Sequence, residues 1–268
     1  MPKKEKGWNL ASLWKDYKPP GRPSESEVKI FEECIKKYNP KSALVLGSTP
    51  EFRSLLHKYN IATTVVDYNK ETYDILTKLV KNKGKEIFIA NDWRKIPTTN
   101  NYDLIVGDLS LNCLPKEDIS KMITLFDKLL SKNGLVIQRI VIRKNNKKKS
   151  INQIIKEYRQ NKKQSIWESI WFDIQMNQYN FDKEYVLFSD SIKELKKANK
   201  SGLISDQEFA QFSNKGWENL DKFNWFIPNI NFIKKEIKKK FNIISIKNSK
   251  DIFSKDMPLF VFSKEFSQ

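Results

Sequence analysis

Residues 43–67 read ALVLGSTPEFRSLLHKYNIATTVVD, and this stretch decides the fold. Ala43-Leu44-Val45-Leu46 is a short apolar run that breaks at Gly47-Ser48-Thr49-Pro50. Helical spacing follows through Phe52, Leu55 and Leu56, and a second run, Ala62-Thr63-Thr64-Val65-Val66, ends on Asp67. Strand, tight turn, helix, strand and terminal carboxylate is the order in which an open α/β sheet builds a nucleoside pocket. The turn lets a ligand approach the backbone, and an acid at the second strand's tip accepts hydrogen bonds from ribose hydroxyls. Taken alone, the stretch is equally any βαβ unit with an incidental Asp.

Working outward, the alternation continues. Ser24 and Glu27 have capping-box spacing, and Val28, Ile30, Phe31, Cys34 and Ile35 form a helical face that runs to Tyr38 before Pro40. The spacing predicts strands over 43–46, 62–67, 86–90, 102–107 and 135–142, with helices over 50–59, 70–82 and 116–130 between them. A helix over 231–240 and strands over 241–246 and 259–263 close the chain. Strands and helices alternating at these intervals imply a doubly wound, mostly parallel seven-stranded α/β sheet with helices on both faces.

The pattern lapses over 144–226, where helical stretches carry Trp167, Trp171, Phe172, Phe209, Phe212, Trp217 and Trp225 without sheet-type runs. That segment is read as a helical cap inserted near the C-terminal ends of the strands, where such folds bind ligands. Its aromatics serve either as the cap's own core or as a binding surface. Residues 1–23, with Trp8, Trp14, Tyr17 and a Pro19-Pro20-Gly21-Arg22-Pro23 stretch, form an arm that packs over something. The chain thus divides into an arm (1–23), a cofactor-binding core (24–143), the cap (144–226), and the core's last helix and final strands (227–268).

From the first strand through the fifth, the chain resembles the class I S-adenosylmethionine-dependent methyltransferases, with 241–263 supplying their expected last two strands. The resemblance implies S-adenosylmethionine as cofactor. The turn Gly47-Ser48-Thr49-Pro50-Glu51 would pass its methionine part, and Asp67, followed by Tyr68, would hold its ribose. Asp92 would reach the adenine amino group, with Trp93 against the ring, and 108–115, beginning Asp108-Leu109, would line the methyl-donor end. Tyr17 and Arg22 of the arm are expected to fold over the cofactor, Arg22 pairing with its carboxylate or remaining a plain surface arginine. The resemblance departs at the first turn: only Gly47 remains of three alternating glycines, with Thr49 and Glu51 in place of the others and Val45 in place of a strand acid. These residues either remodel the turn or weaken cofactor binding. The change counts more heavily against a nicotinamide dehydrogenase, whose pyrophosphate sits directly on a Gly-x-Gly-x-x-Gly turn.

Methyl transfer is a displacement at a sulfonium carbon, so the protein chiefly aligns donor and acceptor. Asp108 and Asn112 are the candidates for catalytic roles at the methyl end, Asp108 being alternatively a cap. The expected acceptor is a small molecule enclosed by the cap. The rivals are a methyltransferase acting on RNA or protein, and a non-catalytic binding protein of the same fold.

Composition bounds the rest. The 268 residues, 39% hydrophobic and 12% aromatic, are those of a globular chain. The net charge of +17 invites a nucleic-acid partner, but only six of the 49 basic residues are arginines, the type favoured for reading bases. The basic cluster at 143–149 is simplest as a solvated loop, so nucleic acid is not favoured. No apolar run approaches the roughly 18–20 residues of a membrane span, and Met1-Pro2-Lys3-Lys4-Glu5-Lys6 leads into no signal core. A cytoplasmic protein with no membrane partner is expected. Cys34, Cys113 and the single His57 are too few for a disulfide framework or a His-rich metal site, and no metal is expected. His57 is read as an ordinary helix residue rather than a catalytic one. The oligomeric state is not legible.

Overall fold

The first helix begins where its capping box says it should. Ser24 accepts from the Glu27 amide and Glu27 reaches back to the Ser24 amide, opening α1 (Glu25–Tyr38), which closes on left-handed Asn39. The computed structural model describes residues 9–143, 149–160, 166–214 and 224–264. Trp8, Trp217, Lys147 and Lys148, singled out in the sequence, lie outside the described residues, as does the side chain of Trp167.

The core follows as β1 (Ser42–Leu46), α2 (Pro50–Lys58), β2 (Ala62–Asp67), α3 (Lys70–Thr77), β3 (Glu86–Ala90), β4 (Tyr102–Asp108), α4 (Lys116–Leu129) and β5 (Leu130–Arg139). The chain ends with α9 (Ile230–Lys238), β8 (Asn242–Lys247) and β9 (Leu259–Ser263). The seven strands are ordered β3-β2-β1-β4-β5-β9-β8. The first five are mutually parallel, and β9 runs antiparallel to both β5 and β8. Because β1 pairs with both β2 and β4, successive connections leave it in opposite directions, and the turns after β1 and β4 bound a crevice at the strand tips. One sheet face packs Leu44, Leu46 and Ile105 against Ile123 and Phe126 of α4 and Ile233 of α9. The other packs Val45 and Val106 against Phe31 of α1 and Phe52 and Leu56 of α2. With both faces covered, the central strands must be apolar runs rather than alternating ones.

Four local expectations are corrected. The helix predicted over 70–82 stops at Thr77. There the Thr77 hydroxyl donates to the Tyr73 carbonyl and accepts from Arg53, and Leu79 and Val80 close three-residue turns instead of continuing the helix. The fifth strand starts at Leu130 rather than 135, directly after α4, and ends at Arg139. Asn133-Gly134 makes its turn as an excursion inside that strand: the partners of Tyr102 and Leu104 are Leu130 and Leu135. The segment between β5 and α9 holds α5 (Ile151–Gln160), α6 (Ile166–Asn177), α7 (Phe188–Lys200) and α8 (Asp206–Ser213). It also holds an antiparallel pair that periodicity missed, β6 (Tyr185–Leu187) with β7 (Asn224–Phe226). Three-residue strands are too short to show a period of two.

A third apolar cluster joins Ala11, Trp14 and Tyr17 to Ile155, Trp171, Phe172 and Phe188. The arm, partly a 3-10 helix at Asn9–Asp16, packs against α3 and shares this cluster with the inserted segment. Among the described residues no helix is long and apolar enough to cross a membrane.

Candidate active site

The turn after β1 is built on Gly47, whose φ of +89° only glycine adopts freely. Its amide donates to the Val66 carbonyl at 2.9 Å, and the Trp93 indole N–H donates to the same oxygen at 2.8 Å. One backbone carbonyl thus ties together the β1 turn, the tip of β2 and the turn after β3. Ser48, the next residue, donates its hydroxyl to Asp67 Oδ2 at 2.8 Å, while the Asn69 amide donates to Oδ1 at 3.0 Å. Burial pushes the Asp67 carboxyl above its ordinary range, against the pull of these two donors and of the Tyr68 backbone. A carboxylate has more lone pairs than these donors use, so Asp67 retains capacity to accept from a ligand.

Asp92 caps the short 3-10 turn at Trp93–Lys95 by accepting from the Arg94 amide. The Arg94 guanidinium also forks onto both Asp92 oxygens, at 2.5–3.1 Å, and holds the carboxyl below its usual range. Arg94 reaches on to Asp118, in the first turn of α4, at 2.7 Å. The expected role of Asp92 in taking an adenine amino group is therefore revised. Its lone pairs are used by Arg94, and Trp93 is the residue of this turn whose ring remains to meet a ligand.

At the tip of β4, Asp108 accepts from Arg139 Nη1 at 2.9 Å. Arg139 is buried, bonds Glu27 through Nε at 2.7 Å and donates from Nη2 to the Pro20 carbonyl at 2.9 Å. Burial opposes its charge, but Glu27 and Asp108 more than offset that and hold the guanidinium protonated. Leu109, one residue on, sits in the left-handed region at φ +55°, with its amide bonded to the Arg139 carbonyl. A branched residue there costs on the order of 1–3 kcal/mol and persists only where surrounding contacts enforce it.

Asn112, expected in a catalytic role, spends its side chain on backbone groups. Its Nδ2 donates to the Val141 and Phe226 carbonyls, each at 2.9 Å, and its Oδ1 accepts from the Val141 amide at 2.9 Å. It is a fully used clamp between the β4 turn and the ends of the inserted segment. Arg22 and Glu51 are likewise committed to one another. Arg22 Nε lies 3.3 Å from Glu51 Oε1, Trp14 Nε1 donates to the same oxygen at 3.1 Å, and Arg22 Nη1 donates to the Trp14 carbonyl. Burial pushes the Glu51 carboxyl up despite these partners. Glu51 anchors the arm, and Arg22 is held at that anchor rather than facing a ligand. His57 lies elsewhere, with Nδ1 on the Asn82 carbonyl and Nε2 3.2 Å from Glu86.

A cavity of about 340 Å³ opens over the strand tips. Ten predicted residues line it: Tyr17, Gly47, Ser48, Thr49, Asp67, Tyr68, Asp92, Trp93, Asp108 and Leu109. Arg22, Glu51 and Asn112 do not. The arm adds Trp14, and the inserted segment adds Trp171, Phe172, Gln175, Phe188 and Trp225. Sequence reasoning missed Arg94 and Gln175 as lining residues, while Cys113 belongs to the expected 108–115 stretch. Arg94 follows Asp92-Trp93, and that adjacency was the available signal; Gln175 had none beyond sharing a helix face with Trp171. Cys113 is exposed at the cavity, and partial desolvation there, together with the charges of Asp108 and Asp67, pushes its thiol up, so it meets the cavity as a neutral group. A neighbouring cavity of about 310 Å³ lies behind Arg139 and is lined by none of Gly47, Asp67, Trp93 and Asp108. Among the described residues, no three His, Cys, Asp or Glu side chains gather as a metal site requires.

No family model matches the chain. No curated protein matches it either. Solved structures do. An S-adenosylmethionine-dependent methyltransferase from Clostridium acetobutylicum superposes with a TM-score of 0.60 at 12% identity, over 96% of this chain and 98% of that one. A Rhodobacter sphaeroides protein named as a Zn-dependent alcohol dehydrogenase gives 0.58 at 16%, over 96% and 98%. The N-methyltransferase NodS from Bradyrhizobium japonicum, solved with S-adenosylhomocysteine, gives 0.51 at 10%, over 91% and 89%. At these identities the likeness is one of fold, and the fold is that of the class I methyltransferases.

Proposed function

We propose that the chain is an S-adenosylmethionine-dependent methyltransferase acting on a small molecule, with residues 144–226 as the cap that encloses the acceptor. One observation carries the reading: a single cavity runs from Asp67 and Trp93 to an aromatic wall contributed by that segment. Its volume lies within the ~300–1,000 Å³ of small-molecule pockets. The residues fit the cofactor. Asp67 keeps accepting capacity for a ribose hydroxyl, Trp93 offers a ring pinned by Val66, and Gly47 exposes backbone at a turn that a side chain would strain.

The cofactor, when bound, supplies a methyl group on a sulfonium. The chain's own part is to align the acceptor's lone pair with that carbon and to keep water out. Asp108 faces the acceptor end with its charge already met by Arg139, which makes it a fixed acceptor of hydrogen bonds that orients the bound molecule. Charge favours a small molecule over a polymer. Among the described residues the one cation lining the cavity is Arg94, and Asp92 and Asp118 hold it. Lys149 pairs with Glu157 and lies outside the cavity. The proposed compartment is the cytoplasm, in keeping with free Cys34 and Cys113.

Titration calorimetry with S-adenosylmethionine, followed by assay for S-adenosylhomocysteine formed with a panel of small aromatic and aliphatic acceptors, tests the reading. Saturable binding with turnover on one acceptor class is expected. Absence of binding refutes the cofactor assignment, and turnover on RNA or protein alone refutes the small-molecule acceptor.

A further inference from the structure

The turn after β1 ends at Thr49, which stands at the N-cap of α2 and makes no side-chain capping bond. It is held instead by a residue one turn further along α2. Arg53 donates its amide to the Thr49 carbonyl at 3.3 Å, and its Nη1 reaches the Ser48 carbonyl at 3.4 Å. The guanidinium is wholly buried and forks onto Glu86, the first residue of β3, through Nε at 2.9 Å and Nη2 at 2.6 Å. Nη2 also donates to the hydroxyl of Thr77, the last residue of α3, at 2.6 Å. The guanidinium lies 4.5 Å from the centre of the Tyr73 ring, and Tyr73 donates its hydroxyl to Glu86 at 2.8 Å. One side chain thus ties the Ser48 carbonyl to α3 and β3. Ser48 donates its hydroxyl to Asp67, so any shift of Ser48 moves a hydrogen-bond donor on the proposed ribose acid.

We propose that Arg53 is a positioning residue for the cofactor: it lies outside the cavity and holds Ser48 and Asp67 in the arrangement that accepts the ribose. A buried ion pair is poor evidence of stability, because apolar side chains of the same volume often fill such a space as well or better. The placement of this pair gives it another use. Its far end is anchored on α3 and β3, and its near end meets the turn. The charge acts alongside the bonds. Burial pushes the Asp67 carboxyl up, and Arg53 is the cation that pulls back against it. Burial also opposes the charge of Glu86, but Arg53 and the Tyr73 hydroxyl outweigh it and hold that carboxyl below its usual range, so the guanidinium is balanced. The turn, with Thr49 and Glu51 where alternating glycines would stand, is thereby remodelled around a side-chain tether. The inference rests on the cofactor reading above.

The test joins Arg53→Met to Glu86→Gln, so that neither charge is left buried alone. Arg53→Lys is the conservative variant and His57→Gln the control. His57 stands 3.2 Å from the same Glu86 but bonds the Asn82 carbonyl rather than the turn. Two quantities are read on the full chain: S-adenosylhomocysteine affinity by calorimetry, and titration of the Asp67 carboxyl in the ligand-free protein by carbon NMR. The other groups acting on Asp67, the Ser48 hydroxyl and the Tyr68 and Asn69 amides, do not titrate, and the Cys113 thiol that feels its charge stays neutral. The double variant should bind S-adenosylhomocysteine at least tenfold more weakly. Its Asp67 should titrate at higher pH than the parent's, because the lost cation no longer favours the carboxylate. Arg53→Lys keeps the charge and loses the fork, so Asp67 should titrate close to the parent while affinity falls at least threefold. His57→Gln should leave both readings unchanged, whatever its melting temperature. Affinity equal to the parent's in the double variant overturns the proposal; should that variant not fold, equal affinity in Arg53→Lys does so. Affinities that fall in step with melting temperature across all the variants, His57→Gln included, also overturn it and make Arg53 a packing residue. A parent that binds no S-adenosylhomocysteine refutes the cofactor assignment. The Asp67 titration then decides Arg53 by itself, and an unmoved midpoint in the double variant overturns its role.

Discussion

Replacing Asp67 by Asn keeps the side chain's shape and removes its charge, so it tests the cofactor pocket where the structure is most explicit. The carboxylate is buried and holds Ser48 and the Asn69 amide, and the proposed ribose hydroxyls would take the accepting capacity it has left. A hydrogen bond to a charged group contributes about 1.5–3 kcal/mol and a neutral one about 0.5–1.5, so two ribose contacts should together lose about 2–3 kcal/mol. At 1.4 kcal/mol per tenfold, S-adenosylmethionine affinity should fall about 30- to 150-fold. The free protein should not suffer. Burial raises the Asp67 pKa above the ordinary 3.8, so the folded state binds that proton more tightly than the unfolded chain does. This carboxyl's contribution to stability is complete below 3.8 and is lost as pH rises toward its folded value. Asp67→Asn escapes that loss, so at pH 7 its melting temperature should match or exceed the parent's, and the difference should shrink toward pH 3. Calorimetry with S-adenosylmethionine at pH 7, beside thermal melts at both pH values, reads every term. A variant that melts like the parent and binds the cofactor equally well would refute the ribose assignment.

Trp93→Ala should weaken adenosine and S-adenosylhomocysteine binding about tenfold or more, since base stacking on an aromatic contributes about 1–3 kcal/mol; equal adenosine affinity in calorimetry would leave Trp93 a packing residue held by Val66. Asn112→Ala strands the Val141 amide and the Val141 and Phe226 carbonyls. At about 1–3 kcal/mol for each buried unpaired group, urea denaturation should register a loss of about 3 kcal/mol or more, and a loss below about 1 kcal/mol would reject the clamp.

The sequence by itself determined the sheet and the positions of its ligand-facing tips. The central strands are covered on both faces, which forces unbroken apolar runs such as 43–46 and 104–106, and the breaks between runs mark where the chain turns. Gly47, Asp67, Trp93 and Asp108 were therefore legible as tip residues from order alone. What each tip residue can still do was decided only by tertiary structure. Asp67 and Asp92 look alike in sequence, yet Ser48 leaves Asp67 open to a ligand while Arg94 closes Asp92. Arg22, expected on the cofactor, is taken by Glu51, and Asn112 is taken by backbone groups 29 and 114 residues away. Gln175 enters the site from a helix whose own pattern says only that one face is apolar. Periodicity reports how much of a residue is buried. A polar group's free valence depends on which neighbour reaches it first in three dimensions, and those neighbours come from segments far apart in the chain.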